Sequence, residues 1–99
     1  MSTHQQAAEQ IAEALQHLQD TFRVVEETTD PQQAFELATK LVDDLGNLYE
    51  QAADLRARQV GRIWREEELS LADLAERISV SKARAGQFVT RAARLTKGE

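Results

Sequence analysis

Apolar side chains recur at Ala8, Ile11, Leu15, Leu18, Phe22 and Val25, with successive spacings of 3, 4, 3, 4 and 3. This is heptad spacing, and it predicts a helix with one apolar seam and a wet back of Gln, Glu, Asp and His. Ser2 or Thr3 is placed to cap its start. The pattern stops at Glu-Glu-Thr-Thr-Asp-Pro. Asp30-Pro31-Gln32-Gln33 then opens a second helix. Asp30 can accept from free N–H groups of the first turn, Pro31 suits the first helical position, and Gln33 is set for a capping box. Ala34, Ala38, Leu41, Leu45, Leu48, Ala52 and Leu55 follow at spacings of 4, 3, 4, 3, 4 and 3. Phe35, Val42 and Tyr49 repeat every seven residues beside that seam. The stripe is wider than contact with one helix requires.

A short link of about three to five residues makes neighbouring helices antiparallel. At 1.5 Å per residue each helix would run about 35–40 Å. A two-helix hairpin encloses no core, so its spare apolar face is expected to meet a second copy and form a four-helix bundle. The expected dimer contacts are Leu15, Leu18, Phe22, Phe35, Leu41, Val42, Leu45, Leu48 and Tyr49. Gly46 and Gly61 interrupt the second helical pattern without an adjacent Pro or polar loop, which favours a kink or a close helix contact over a break. The helix is expected to continue through Arg56, Arg58 and Arg62 to about Glu67.

Charge divides the chain. Residues 1–55 hold two basic and eleven acidic side chains, a net of −9, whereas residues 56–99 hold ten and six, a net of +4. The whole-chain value of −5 hides this split. It predicts two domains, an acidic hairpin over 1–55 and a basic unit over 56–99, and it points the second unit at nucleic acid.

The basic half has its own pattern. Leu69-Ser70-Leu71-Ala72-Asp73-Leu74-Ala75-Glu76-Arg77-Ile78 reads as a short amphipathic helix, with Ser70 as cap and Asp73 at the capping-box position. Ser79-Val80-Ser81 makes a tight turn. Ser81 caps the next helix, which runs from Lys82 to Leu95. A short helix, a three-residue turn and a second helix make a helix-turn-helix plan. Leu71, Leu74, Ala75 and Ile78 would face inward, with Val80 plugging the turn. Ala85, Phe88 or Val89, and Ala92 would line the inner face of the last helix. Val60, Ile63 and Trp64 would supply the third wall. Ser81, Lys82, Ala83, Gly86, Gln87 and Thr90 would then face outward, flanked by Arg84, Arg91 and Arg94. Small residues let a helix lie deep in the major groove, Gln87 can pair bidentately with adenine, and Lys82 or Arg84 can read guanine or grip phosphate.

The stretch Leu-Ser-Leu-Ala-Asp-Leu-Ala-Glu-Arg-Ile-Ser-Val-Ser-Lys-Ala-Arg resembles the helix-turn-helix of the promoter-reading C-terminal domain of bacterial sigma factors, and of small regulators built on it. The resemblance extends from about Arg58 to Leu95. It implies a trihelical domain whose last helix enters the major groove at residues such as Ser81, Lys82, Arg84 and Gln87. Ser79 departs from that pattern by replacing a turn Gly, and so would have to adopt a less favoured backbone shape unless the turn differs. Ala85 is smaller than the usual branched residue. No other sigma-factor domain is present, so a stand-alone bacterial regulator is expected rather than a sigma factor.

Other chemistries find little support. The chain has no Cys, which removes disulfides, thiolate catalysis and Cys-ligated zinc. His4 and His17 stand thirteen apart, and no further ligands match the Glu13–His17 spacing. Gly46, Gly61, Gly86 and Gly98 are too scattered for a phosphate loop. One Trp and one Tyr give no platform for stacking single strands. Glu26-Glu27 and Glu66-Glu67-Glu68 read as solubilising helix-end charges. No apolar run approaches the roughly 18–20 residues of a bilayer span, and no secretory signal is visible. With 41% hydrophobic and 29% charged residues the composition is globular. The expectation is an all-α, cytoplasmic, nucleoid-associated protein that is not an enzyme, with no catalytic residues, cofactor or metal. It would be a homodimeric, sequence-specific regulator binding double-stranded DNA through Ser70, Ser81, Lys82, Ala83, Arg84, Gly86, Gln87, Thr90, Arg91 and Arg94. Half-sites would lie about 34 Å apart or a multiple of it. The alternatives are a docking module for a sigma factor, polymerase or other regulator, and a chromosome- or plasmid-organising protein.

Overall fold

The computed structural model describes residues 2–97; Met1, Gly98 and Glu99 lie outside them. Among the described residues there are four helices and no strand: α1 (Thr3–Glu26), α2 (Pro31–Glu66), α3 (Leu71–Ile78) and α4 (Lys82–Lys97). None is long and apolar enough to cross a membrane. The all-α expectation holds.

Local chemistry accounts for each helix start. Ser2 Oγ accepts from the Gln5 N–H at 3.1 Å. Asp30 Oδ1 accepts from Gln32 N–H at 3.2 Å, and its carbonyl accepts from Ala34 N–H at 2.9 Å. Ser70 Oγ accepts from Asp73 N–H at 3.1 Å, and Ser81 Oγ from Arg84 N–H at 3.0 Å. Each bond satisfies a donor that the helix itself leaves free. The two expected capping boxes do not close. Gln33 and Asp73 return no side-chain bond to their caps, and Gln32 donates instead to Glu36 one turn on, at 3.2 Å.

Two helix ends use left-handed residues that are not glycine. Glu68 (φ 51°) follows α2, and Ser79 (φ 62°) follows α3. Leu69 N–H then reaches back to the Trp64 carbonyl at 3.2 Å, and Val80 N–H to the Ala75 carbonyl at 2.9 Å. Both closures turn the chain sharply and satisfy last-turn carbonyls. Of the two outcomes open for Ser79, it is the less favoured backbone shape that occurs. The hydrogen bonds of the turn offset its steric cost.

Helix α2 runs unbroken for 36 residues through both Gly46 and Gly61. The two glycines differ in surroundings. A Cβ on Gly61 would lie 2.8 Å from the Ala92 Cβ, so glycine lets α4 approach the α2 backbone. A Cβ on Gly46 would meet nothing within 4 Å. Glycine there costs about 1 kcal/mol of helix propensity with no contact inside the chain to explain it.

The chain divides into two compact units, Met1–Asp44 and Leu45–Glu99, and the division falls inside α2. The charge boundary near Arg56 lies about three turns further on, so charge and packing change at different places along one helix. In the first unit no residue of α1 is buried. Leu18 and Val25 on α1, and Ala34 and Leu41 on α2, are half-buried, whereas Ile11, Leu15, Phe22, Phe35 and Val42 are exposed. In the second unit a closed core forms from Ala57, Val60, Leu74, Ala75, Ala85 and Phe88, with Ile63, Trp64, Leu71, Ile78, Val80 and Val89 packed on it. Leu74 is completely buried, and so are the small Ala57 and Ala85.

Gly61→Ala is expected to lower stability by about 1–2 kcal/mol, since overpacking outweighs the propensity gain. Ser79→Gly is expected to raise it by about 1 kcal/mol by relieving the left-handed backbone. Urea unfolding followed by circular dichroism checks both; a stabilised Gly61→Ala chain would mean α4 does not press on α2.

Candidate nucleic-acid interface

The sequence of α4, KARAGQFVTRAARLTK, contains five basic residues and no carboxylate. Its inner face is Ala85, Phe88 and Ala92, all buried. Phe88 is 8% exposed, while its neighbour Gln87 lies open to solvent. Lys82, Ala83, Arg84, Gln87, Thr90 and Arg94 are also exposed, and Gly86 is half-buried. The outward set anticipated from spacing is therefore on one accessible surface.

Gly86 resembles Gly46 in one respect, because an added Cβ would meet nothing within 4 Å. Beside it runs an open groove of about 580 Å³ whose walls include Trp64, Leu71, Ala83, Gly86, Val89 and Thr90, with Gln87 and Arg94 at its edge. The indole N–H of Trp64 is enclosed and meets no acceptor. It is the sole buried side-chain polar atom without a partner among the described residues.

The cations of this unit have separate roles. Arg84 lies over the Phe88 ring at 4.5 Å, and its guanidinium makes a long 3.5 Å contact with Gln87 Oε1. Arg56, from α2, lies over the same ring at 5.2 Å. Neither has a carboxylate partner among the described residues, so two guanidinium groups converge on one aromatic side chain. Arg56 was not among the candidates; only its contact with Phe88, 32 positions along the chain, brings it to this surface. Lys82 and Arg94 also make no ion pair among the described residues. Arg62 and Arg77 are matched by Glu66 at 3.0 Å and Glu67 at 3.3 Å.

The sequence pattern places Arg91 on the flank of the outward face, among the expected DNA contacts. Its guanidinium bonds Asp54 Oδ1 at 2.7 Å and Glu50 Oε2 at 3.0 Å, both on α2. The hydrogen bond to Asp54 is the main cause of a pKa raised above the ordinary arginine value. Its charge is committed to holding α4 on α2. Ser70 and Ser81 likewise spend their hydroxyls as acceptors for helix N–H groups, so any outward contact they make goes through the remaining lone pair or the hydroxyl proton.

Among the described residues no group of three His, Cys, Asp or Glu is arranged to hold a metal ion. Comparison with protein-family models, curated proteins and solved structures gives no match.

Arg91→Ala is expected to lower the thermal midpoint, because Asp54 loses its partner, whereas Arg94→Ala leaves the midpoint unchanged. Thermal melts by circular dichroism compare the two; equal midpoints would remove the structural role given to Arg91.

Proposed function

We propose that the chain is a duplex DNA-binding transcriptional regulator that works as a homodimer. The second unit acts as a helix-turn-helix domain of the kind the Leu69–Arg84 stretch resembles, with α4 as the recognition helix. The first unit acts as a helical hairpin that dimerises. One observation carries this reading: α4 buries Phe88, exposes Gln87, and presents small and cationic residues with no carboxylate among them.

Each outward residue has a physical task. Ala83 and Gly86 let the helix approach base edges closely. Gln87 matches the donor and acceptor of adenine in the major groove. Lys82, Arg84 and Arg94 supply phosphate contacts and counterion release, and Arg56 joins them from α2. The enclosed Phe88 ring holds Arg56 and Arg84 in place, which reduces the entropy lost when they meet phosphate. The protein would work in the cytoplasm, at the nucleoid.

A second reading has one observation in its favour. The groove beside Gly86 is partly apolar, with Trp64, Leu71 and Val89 in its walls, and such a surface suits docking on another transcription protein. A gel shift against random duplex at low salt separates the two, because only the regulator binds.

On a duplex selected from a random pool, Gln87→Ala is expected to weaken binding by about 1–3 kcal/mol and to relax preference at one base pair. Arg94→Ala and Arg56→Ala should weaken all sequences alike and reduce the salt slope by about 1 each, while Arg91→Ala leaves the slope unchanged. Salt-series gel shifts measure these effects. Unaltered affinity in all the variants would reject α4 as the reading helix.

A further inference from the structure

We propose that the open groove on α4 is a binding site for an apolar carboxylate, and that this ligand takes the place of DNA. The inference rests on the reading of α4 as the recognition helix and adds a small-molecule effector to it. All the walls of the groove belong to the second unit.

The walls define the body of the ligand. Trp64 from α2, Leu71 from α3 and Val89 from α4 make the apolar side. The Trp64 N–H is enclosed, so the indole offers the groove carbon and no donor. Ala83 and Gly86 keep the α4 surface low, and a Cβ on Gly86 would meet nothing within 4 Å. The volume of about 580 Å³ falls inside the range of about 300–1,000 Å³ that small-ligand clefts occupy. A protein partner would engage about 20–30 residues on each side, whereas eight residues line this groove.

The opposite edge defines the head. At about 100° per residue Gln87, Thr90 and Arg94 fall within about 60° of one another, and about 100° or more round the helix from Val89. Thr90 and Arg94 stand one turn apart, so a single anionic group can meet the hydroxyl and the guanidinium together. Arg94 makes no ion pair among the described residues, and no lining residue is acidic. One guanidinium calls for one negative charge, and its planar fork matches a carboxylate. A phosphate monoester, with about −1.5 to −2 charges, would be only partly matched.

Occupation of the groove conflicts with DNA. The ligand would cover Ala83 and Gly86, where base edges must approach, and would neutralise Arg94. Linkage then requires ligand and duplex to weaken each other by the same factor.

The single Trp of the chain stands in the wall, so its emission reports the groove directly. Decanoate is the probe, with decanol as its uncharged counterpart. Trp64 emission of the parent chain is expected to change saturably with decanoate. Decanol, or decanoate on Arg94→Ala, should need about tenfold more ligand, the worth of one hydrogen bond to a charged group. Gly86→Leu fills the groove without meeting the rest of the chain; checked for helix by circular dichroism, it should give no saturable change. Saturating decanoate should release a duplex selected from a random pool. An unsaturable response, an equal response to decanol, or an unchanged response in Gly86→Leu overturns the ligand site, whether or not the duplex binds. A bound duplex that saturating decanoate does not release overturns the competition. If decanoate binds as expected but no duplex binds the parent, the ligand site stands and the DNA-binding reading is overturned.

Discussion

The close approach of α4 to α2 at Gly61 and Ala92 is the contact on which the second unit depends. It leaves room for no side chain on Gly61, and it sets the roll of α4 about its own axis. With Ala85, Phe88 and Ala92 pressed inward, Gln87, Thr90 and Arg94 have one direction left. A helix with five cations gains nothing from burial, and the small inner residues let it lie flat without enclosing any of them. No polar or charged residue is buried among the described residues. The core is made of short side chains around one Leu and one Phe, so its tolerance for added volume is small.

Electrostatics reinforces that docking. The bonds from Arg91 to Asp54 and Glu50 cross from a basic helix to the acidic stretch of α2. They pair one cation of α4 with two carboxylates of α2. Arg56 works in the opposite direction, since it adds a positive group from α2 to the α4 surface through the Phe88 ring. The segregation of charge visible along the chain is thereby sharpened in three dimensions: the inner flank of α4 is neutralised, and its outer flank stays cationic.

The first unit presents a different physical problem. Helix α1 buries no residue, and the half-buried Leu18, Val25, Ala34 and Leu41 supply too little area to offset the entropy of ordering two helices. Most of a helix's stability in a protein comes from packing its amphipathic face. The uncovered Ile11, Leu15, Phe22, Phe35 and Val42 are the reserve from which further stability must come.

Much of the fold was legible in the residue order because it is local. Heptad spacing placed α1 and α2, and Ser2, Asp30, Ser70 and Ser81 marked their own helix starts with short hydrogen bonds. The inward set from Leu71 to Ala92 followed from period alone, and so did the outward position of Gln87. What the order of residues left open was decided over long separations. Gly46 and Gly61 look alike along the chain, and only the arrival of Ala92 distinguishes them. Arg91 and Arg94 are both cations on one helix; Asp54, 37 residues earlier, removes the first from the outer surface. Arg56 had no claim on that surface until Phe88 came beneath it. Periodicity and caps act within a few residues and can be read directly, whereas the partner of a side chain is set by which segments fold against each other.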